Sequence, residues 1–120
     1  MDINALLRAE ADKLKEDLRK WEGKIGDKDI TLFSTPISPY DTSVVSAKFP
    51  KFETAPSASA MVYLICHKAT DKDGNKVFSV GRDFKVMERL PVEFTAGIAQ
   101  KLFADDFDED DLSLENLEKN

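Results

Sequence analysis

Asp71 and Asp73, just ahead of Gly74, stand at a spacing that a helix–loop–helix calcium site uses. Such a loop needs oxygen ligands at positions 1, 3 and 5, glycine at 6 and a bidentate Glu at 12. With Gly74 at position 6, Ala69 falls at position 1 and Val80 at position 12. Neither side chain can hold a cation, so the loop would lack its first ligand and its bidentate anchor. Asp73-Gly74-Asn75 is instead strong turn chemistry, because Gly and Asn accept positive φ at low cost. The stretch is therefore expected to be a connecting turn, with no metal.

Cys66 and His67 are the second place where chemistry could reside. Adjacent residues on a helix point about 100° apart and do not form a nucleophile–base pair. The expectation is a core thiol beside a histidine at a helix end. Glu53, Asp71 and Asp73 offer isolated carboxylates that nothing in the sequence brings together. With no nucleophile–base pair and no metal-ligand spacing, no catalytic, cofactor-binding or metal-ligating residue is expected, and no enzyme.

The elements that position these residues start at Ser57. Ser57 and Ser59 can cap a helix with an apolar interior from Ala60 to Cys66, ending in the basic pair His67–Lys68 that suits the helix dipole. The length of the run would also allow a buried strand, but the good helix formers Ala58, Ala60, Met61 and Leu64 favour the helix. After the turn, Lys76-Val77-Phe78 reads as a short extended piece. Ser79 can cap a helix over 80–90, where Val80, Phe84, Met87 and Leu90 recur at helical spacing. Pro91 suits the first turn of a further helix, with Phe94, Ile98 and Leu102 on one line and Gly97 available for close approach. Met61, Ile65, Phe84, Met87, Phe94, Ile98 and Leu102 are the expected core.

Upstream, residues 2–21 read as an amphipathic helix capped by Asp2, carrying Ile3, Leu6, Leu7, Leu14, Leu18 and Trp21, and stopped by Gly23 and Gly26. It is either a peripheral arm that docks on something else or one helix of the domain. Residues 23–56 are turn-rich, with Pro36, Pro39, Pro50 and Pro56, a β-prone run at 30–33 and a helical turn over 41–47. Phe33, Tyr40, Phe49 and Phe52 in this region are expected to anchor it to the core, the alternative being an exposed aromatic patch. The fold class is mainly α: a single domain over 1–103 made of the 2–21 helix, the 23–56 segment and a 57–103 helical core.

Charge divides the chain. Its net charge is −6, yet residues 104–120 alone hold eight acids and one base, which leaves the body close to neutral. Like charges so dense resist packing, so this acidic C-terminal tail is expected to be a mobile arm that supplies no core side chain. No basic block exists to release counterions from a phosphate backbone, so no nucleic acid is expected as a partner. The longest apolar run, 58–66, is too short to span a bilayer, and no basic start followed by an apolar stretch marks a secretion signal. The lone Cys66 excludes an internal disulfide and suits a reducing, cytoplasmic compartment.

The order of these elements carries a resemblance. Residues 60–103, "AMVYLICHKATDKDGNKVFSVGRDFKVMERLPVEFTAGIAQKLF", resemble the tail assembly chaperones of long-tailed (siphovirus-type) bacteriophages. In that family an apolar helix ends at an acidic, glycine-containing turn, followed by a short Val/Leu-Phe-Ser/Thr segment and two amphipathic helices. Here these are residues 61–68, 71–75, 77–79, 81–90 and 91–103. The resemblance implies a late protein of virion assembly that binds the long helical tape measure protein in the host cytoplasm and keeps it soluble. Such chaperones are absent from the mature virion. Many are also made in a frameshifted, extended form that recruits the tail tube protein, and the resemblance leaves room for a homo-oligomer. The charged helix at 2–21 has no counterpart in the family pattern. The competing reading is an acidic DNA-mimicking inhibitor or regulatory interaction protein, in which 105–111 with Phe107 would fill a basic cleft.

Overall fold

Asp2 starts the first helix: its carboxylate accepts the Asn4 amide at 3.0 Å and caps α1, Ile3–Lys13. A computed structural model describes residues 2–14, 16–108 and 110–119 of the chain. The helix does not continue to Trp21. Arg19–Ile25 forms β1, paired antiparallel with β2, Lys28–Ser34, in a register that sets Trp21 against Leu32 and Gly23 against Ile30. The two glycines expected to stop a helix serve the hairpin instead. Gly26, at φ 68°, takes the first central place of the two-residue turn, as a II′ geometry requires. At Gly23 a Cβ would lie 2.3 Å from the Trp21 ring. The glycine thus lets the indole lie flat along the strand and meet Phe94 edge-on at 6.0 Å.

The turn-rich segment is more regular than its prolines suggest. Ser38 caps α2, Pro39–Lys48, with Pro39 at its first position, and Asp41 completes a capping box by accepting the Ser38 amide at 2.9 Å. Phe49 packs edge-on with Tyr63 and Phe84 beneath Lys48, and Phe52 is buried, so these aromatics do anchor the segment to the core. Tyr40 does not; it is 70% exposed.

The helices of the 57–103 core form as their spacing predicts, except that the one expected over 80–90 ends at Met87 and leaves Leu90 40% exposed. Ser57 caps α3, Ala58–Lys68, and Ser79 caps α4, Val80–Met87. Pro91 sits at the cap position of α5, Val92–Phe103, one residue before the first helical turn. α3 runs through the middle and packs against α2, α4 and α5. Six of its eleven residues are buried, as an all-round apolar helix requires. Met61, Ile65, Phe84, Met87, Ile98 and Leu102 are buried as expected, and Phe94 is half-buried against them. Gly97 makes no close helix contact, since a Cβ there would meet nothing within 4 Å.

The acidic stretch 71–75 is a turn, with Gly74 at φ 88°. Asp71 Oδ1 accepts the Asp73 and Asn75 amides at 2.9 and 3.0 Å, which commits this carboxylate to the turn itself. Thr70, just before it, exchanges two backbone hydrogen bonds of 2.9 Å with Phe33 and so ties the end of β2 to the end of α3.

The tail departs from expectation. Residues 104–106 form a 3₁₀ turn and Leu114–Lys119 forms α6, which packs on α5. Leu112 and Leu117 are each 2% exposed and belong to the core cluster, and Gln100 Nε2 donates to the Leu112 carbonyl at 2.9 Å. The tail therefore supplies core side chains, and the expectation that it supplies none is corrected. Asp105, Asp108, Asp110, Glu115 and Glu118 are exposed and Asp106 is met by Arg19 and the Ile37 amide, so the acids do not prevent two leucines from reaching α5. Glu109 lies outside the described residues. Leu117→Ala is expected to remove ~2–3 kcal/mol from the docking of this segment. Hydrogen exchange should show protection lost over α6 while α3 keeps its own. Wild-type α6 amides exchanging as fast as an unfolded chain would contradict the docked arrangement.

Candidate interaction surface

The buried polar groups centre on Asp41, which is 6% exposed. Lys68 Nζ donates to its Oδ2 at 2.6 Å, and His67 Nε2 donates to Oδ1 at 2.9 Å. The Ser38 hydroxyl also donates to Oδ2, and Lys68 reaches Thr35 Oγ1 at 3.2 Å. Burial alone would push the Asp41 carboxyl upward. The hydrogen bonds from Lys68 and the Ser38 amide, the Lys68 charge and the His67 bond outweigh burial and hold it at about 2, below its ordinary 3.8. Ser38 and His67 meet the carboxylate from opposite oxygens and are joined only through it. The arrangement clamps the first turn of α2 to the last turn of α3.

Of the residues singled out in the sequence, Cys66 is buried, with Sγ 3.5 Å from the Met87 sulfur. Burial first, and then the Asp83 charge, push its thiol up to about 12, so the reactive thiolate is not formed near neutral pH. His67 turns away from it to Asp41. Asp71 and Asp73 lie in the 71–75 turn, whereas Glu53 lines a different place, a hollow of about 500 Å³ shared with Asp105, Asp106, Asp108 and Asp111. Asp106 there is engaged by Arg19 and by the Ile37 amide, and Phe107 packs edge-on against Phe52 at 5.7 Å. Among the described residues, no three His, Cys, Asp or Glu side chains converge in a metal-binding arrangement.

The surface with unsatisfied chemistry is α1. Ile3, Leu6, Leu7 and Leu14 are 68%, 50%, 63% and 42% exposed, and the helix contributes no buried residue. Their spacing puts all four on one face. An isolated helix of 11 residues is marginal in water, because nucleation costs more than so few hydrogen bonds return. In most proteins an amphipathic helix is held by packing its apolar face; here that face is open to solvent.

Sequence reasoning placed the α1 stripe but missed the Asp41 clamp. The available signal was Ser38-Pro39-Tyr40-Asp41, which has the cap, the N1 proline and the N3 acid of a capping box. Comparison with family models, curated proteins and solved structures found no match to this chain. No helix among the described residues is long and apolar enough to cross a membrane.

Proposed function

We propose that this protein is a tail assembly chaperone of a long-tailed bacteriophage. It binds the tape measure protein in the cytoplasm of the infected host and keeps it soluble while the tail tube assembles. The observation that carries the client-binding part of this reading is the open apolar face of α1, a helix outside the family pattern and too short to stand alone. A long helical client presents apolar stripes of its own, and helix-to-helix contact would cover both surfaces. The three helices, two of them capped by serines, and the acidic turn over 58–103 support the same reading, because that segment carries the family resemblance. In this role the chain is a binding protein and not an enzyme, and an extended form would bring the tail tube protein. The DNA-mimic reading is weaker on this structure, since Phe107 is spent on Phe52 and Asp106 on Arg19.

Co-expression with the tape measure protein encoded in the same phage genome tests the proposal. The tape measure protein is expected to move from the insoluble to the soluble fraction and to be captured with the chaperone at moderate salt. A tape measure protein that stays insoluble and uncaptured would overturn the reading. Salt-sensitive capture of a nucleic-acid enzyme instead would favour the mimic.

A further inference from the structure

The apolar stripe of α1 is interrupted by one acid. Glu10 lies four residues after Leu6, three after Leu7 and four before Leu14, which places its carboxylate on the same face as the leucines. It holds Lys13 at 3.0 Å, but both side chains are about 70% exposed, so the pair is weak and readily exchanged for a better partner. A carboxylate in the middle of an apolar contact face costs stability when covered unless the partner brings a cation.

The occupants this face could take can be sorted by that one group. A parallel pair of two copies would bring Glu10 against Glu10. An antiparallel pair that set Glu10 against the other copy's Lys13 would overlap only residues 9–14, leaving Ile3, Leu6 and Leu7 uncovered. Arg8 projects from the opposite face and cannot serve. A bilayer surface would have to take Glu10 into its apolar layer. The geometry points to a helix of another chain, amphipathic and carrying a Lys or Arg within its own apolar stripe, docked along Ile3, Leu6, Leu7 and Leu14 with its cation on Glu10. This rests on the chaperone reading for the identity of the client and assigns the client-binding surface to α1. The cation fixes register, as a polar group in a helix–helix seam does.

Two synthetic amphipathic helical peptides, identical except for Lys or Glu at one position in the apolar stripe, serve as probes for the full chain in fluorescence anisotropy. The Lys peptide is expected to bind at least ~10-fold more tightly than the Glu peptide, and Glu10→Lys to reverse the preference. The double variant Leu6→Asp, Leu7→Asp should lose both peptides yet keep the wild-type thermal transition, because α1 buries nothing. Equal affinity for the two peptides, binding of neither, or binding that survives the double variant would overturn the assignment. So would a wild-type dimer, or capture by anionic vesicles, that the double variant abolishes. The underlying reading fails separately. If wild type and double variant capture the tape measure protein equally, the chaperone function stands and the α1 surface falls. If the peptides discriminate but the tape measure protein is not captured, the surface stands and the client identity falls.

Discussion

Asp41→Ala is expected to destabilise the protein by ~3–5 kcal/mol at neutral pH, the cost of leaving a buried ion pair with one partner. The Lys68 side chain is 7% exposed and would be left without its counter-ion, with only Thr35 as a hydrogen-bond partner among those described. The Ser38 amide and hydroxyl would lose their acceptor at the same time, and with it one half of the α2 capping box. Asp41→Asn keeps the size and one acceptor oxygen but cannot balance the cation, so it should fall between the two. The effect has a pH signature. The carboxyl lies at about 2 in the folded chain against an ordinary 3.8, so its folded pKa is depressed. A depressed acid contributes its full stability above the unfolded pKa and loses it as pH falls through the folded one. The difference of nearly two pKa units corresponds to ~2 kcal/mol. Urea unfolding at pH 7 and at steps from pH 5 to pH 2 should show the gap between wild type and Asp41→Ala narrowing below about pH 4. A gap that is absent at pH 7 would mean that Asp41 and Lys68 are not a buried pair.

Ile98→Asp is expected to be at least as costly. Ile98 has no exposed surface and lies on α5 within the core cluster. The change removes ~2 kcal/mol of apolar burial and adds the cost of a buried carboxylate with no partner designed for it. Together these approach the 5–15 kcal/mol that holds a typical domain folded, so most of the variant should be unfolded at 37 °C and neutral pH. Whatever folded population remains must carry the acid in its neutral form, with its pKa raised. A raised acid is tolerated at low pH and becomes destabilising as pH rises through its unfolded value and on towards its folded one. The variant should therefore lose less stability, relative to wild type, near pH 4 than near pH 7. Ile98→Val, which removes one methyl group, should cost only ~1 kcal/mol. Thermal unfolding by circular dichroism compares the three chains directly. A melting temperature for Ile98→Asp within a few degrees of wild type would show that α5 is not packed on the core.

Three helices and one turn of this protein were legible in its residues because their signals are local. Ser57 and Ser79 sit where a cap must sit, the apolar residues behind them recur every three or four positions, and Asp73-Gly74-Asn75 is a turn whatever surrounds it. The apolar stripe of α1 was legible for the same reason, but not whether it packs within the domain or stays open; the absence of any buried residue on α1 favours the docking arm. What the spacing could not decide was where α1 ends. Leu18 and Trp21 continue the helical period from Leu14, yet Trp21 belongs to a strand because Leu32, eleven residues on, lies opposite it and Phe94 offers its ring. Strand pairing is settled by contacts distant in sequence, which no local periodicity contains. The tail was misjudged in the same way. Its acids dominate the composition, but two leucines suffice to dock it once α5 presents a surface for them. The Asp41 clamp is the clearest case: carboxylate and ammonium are 27 residues apart, and each is unremarkable by itself. Residue types determined which groups could carry charge, cap a helix or fill a core. Only the folded chain decided which of them meet, because burial and electrostatic pairing depend on separation in space and not along the sequence.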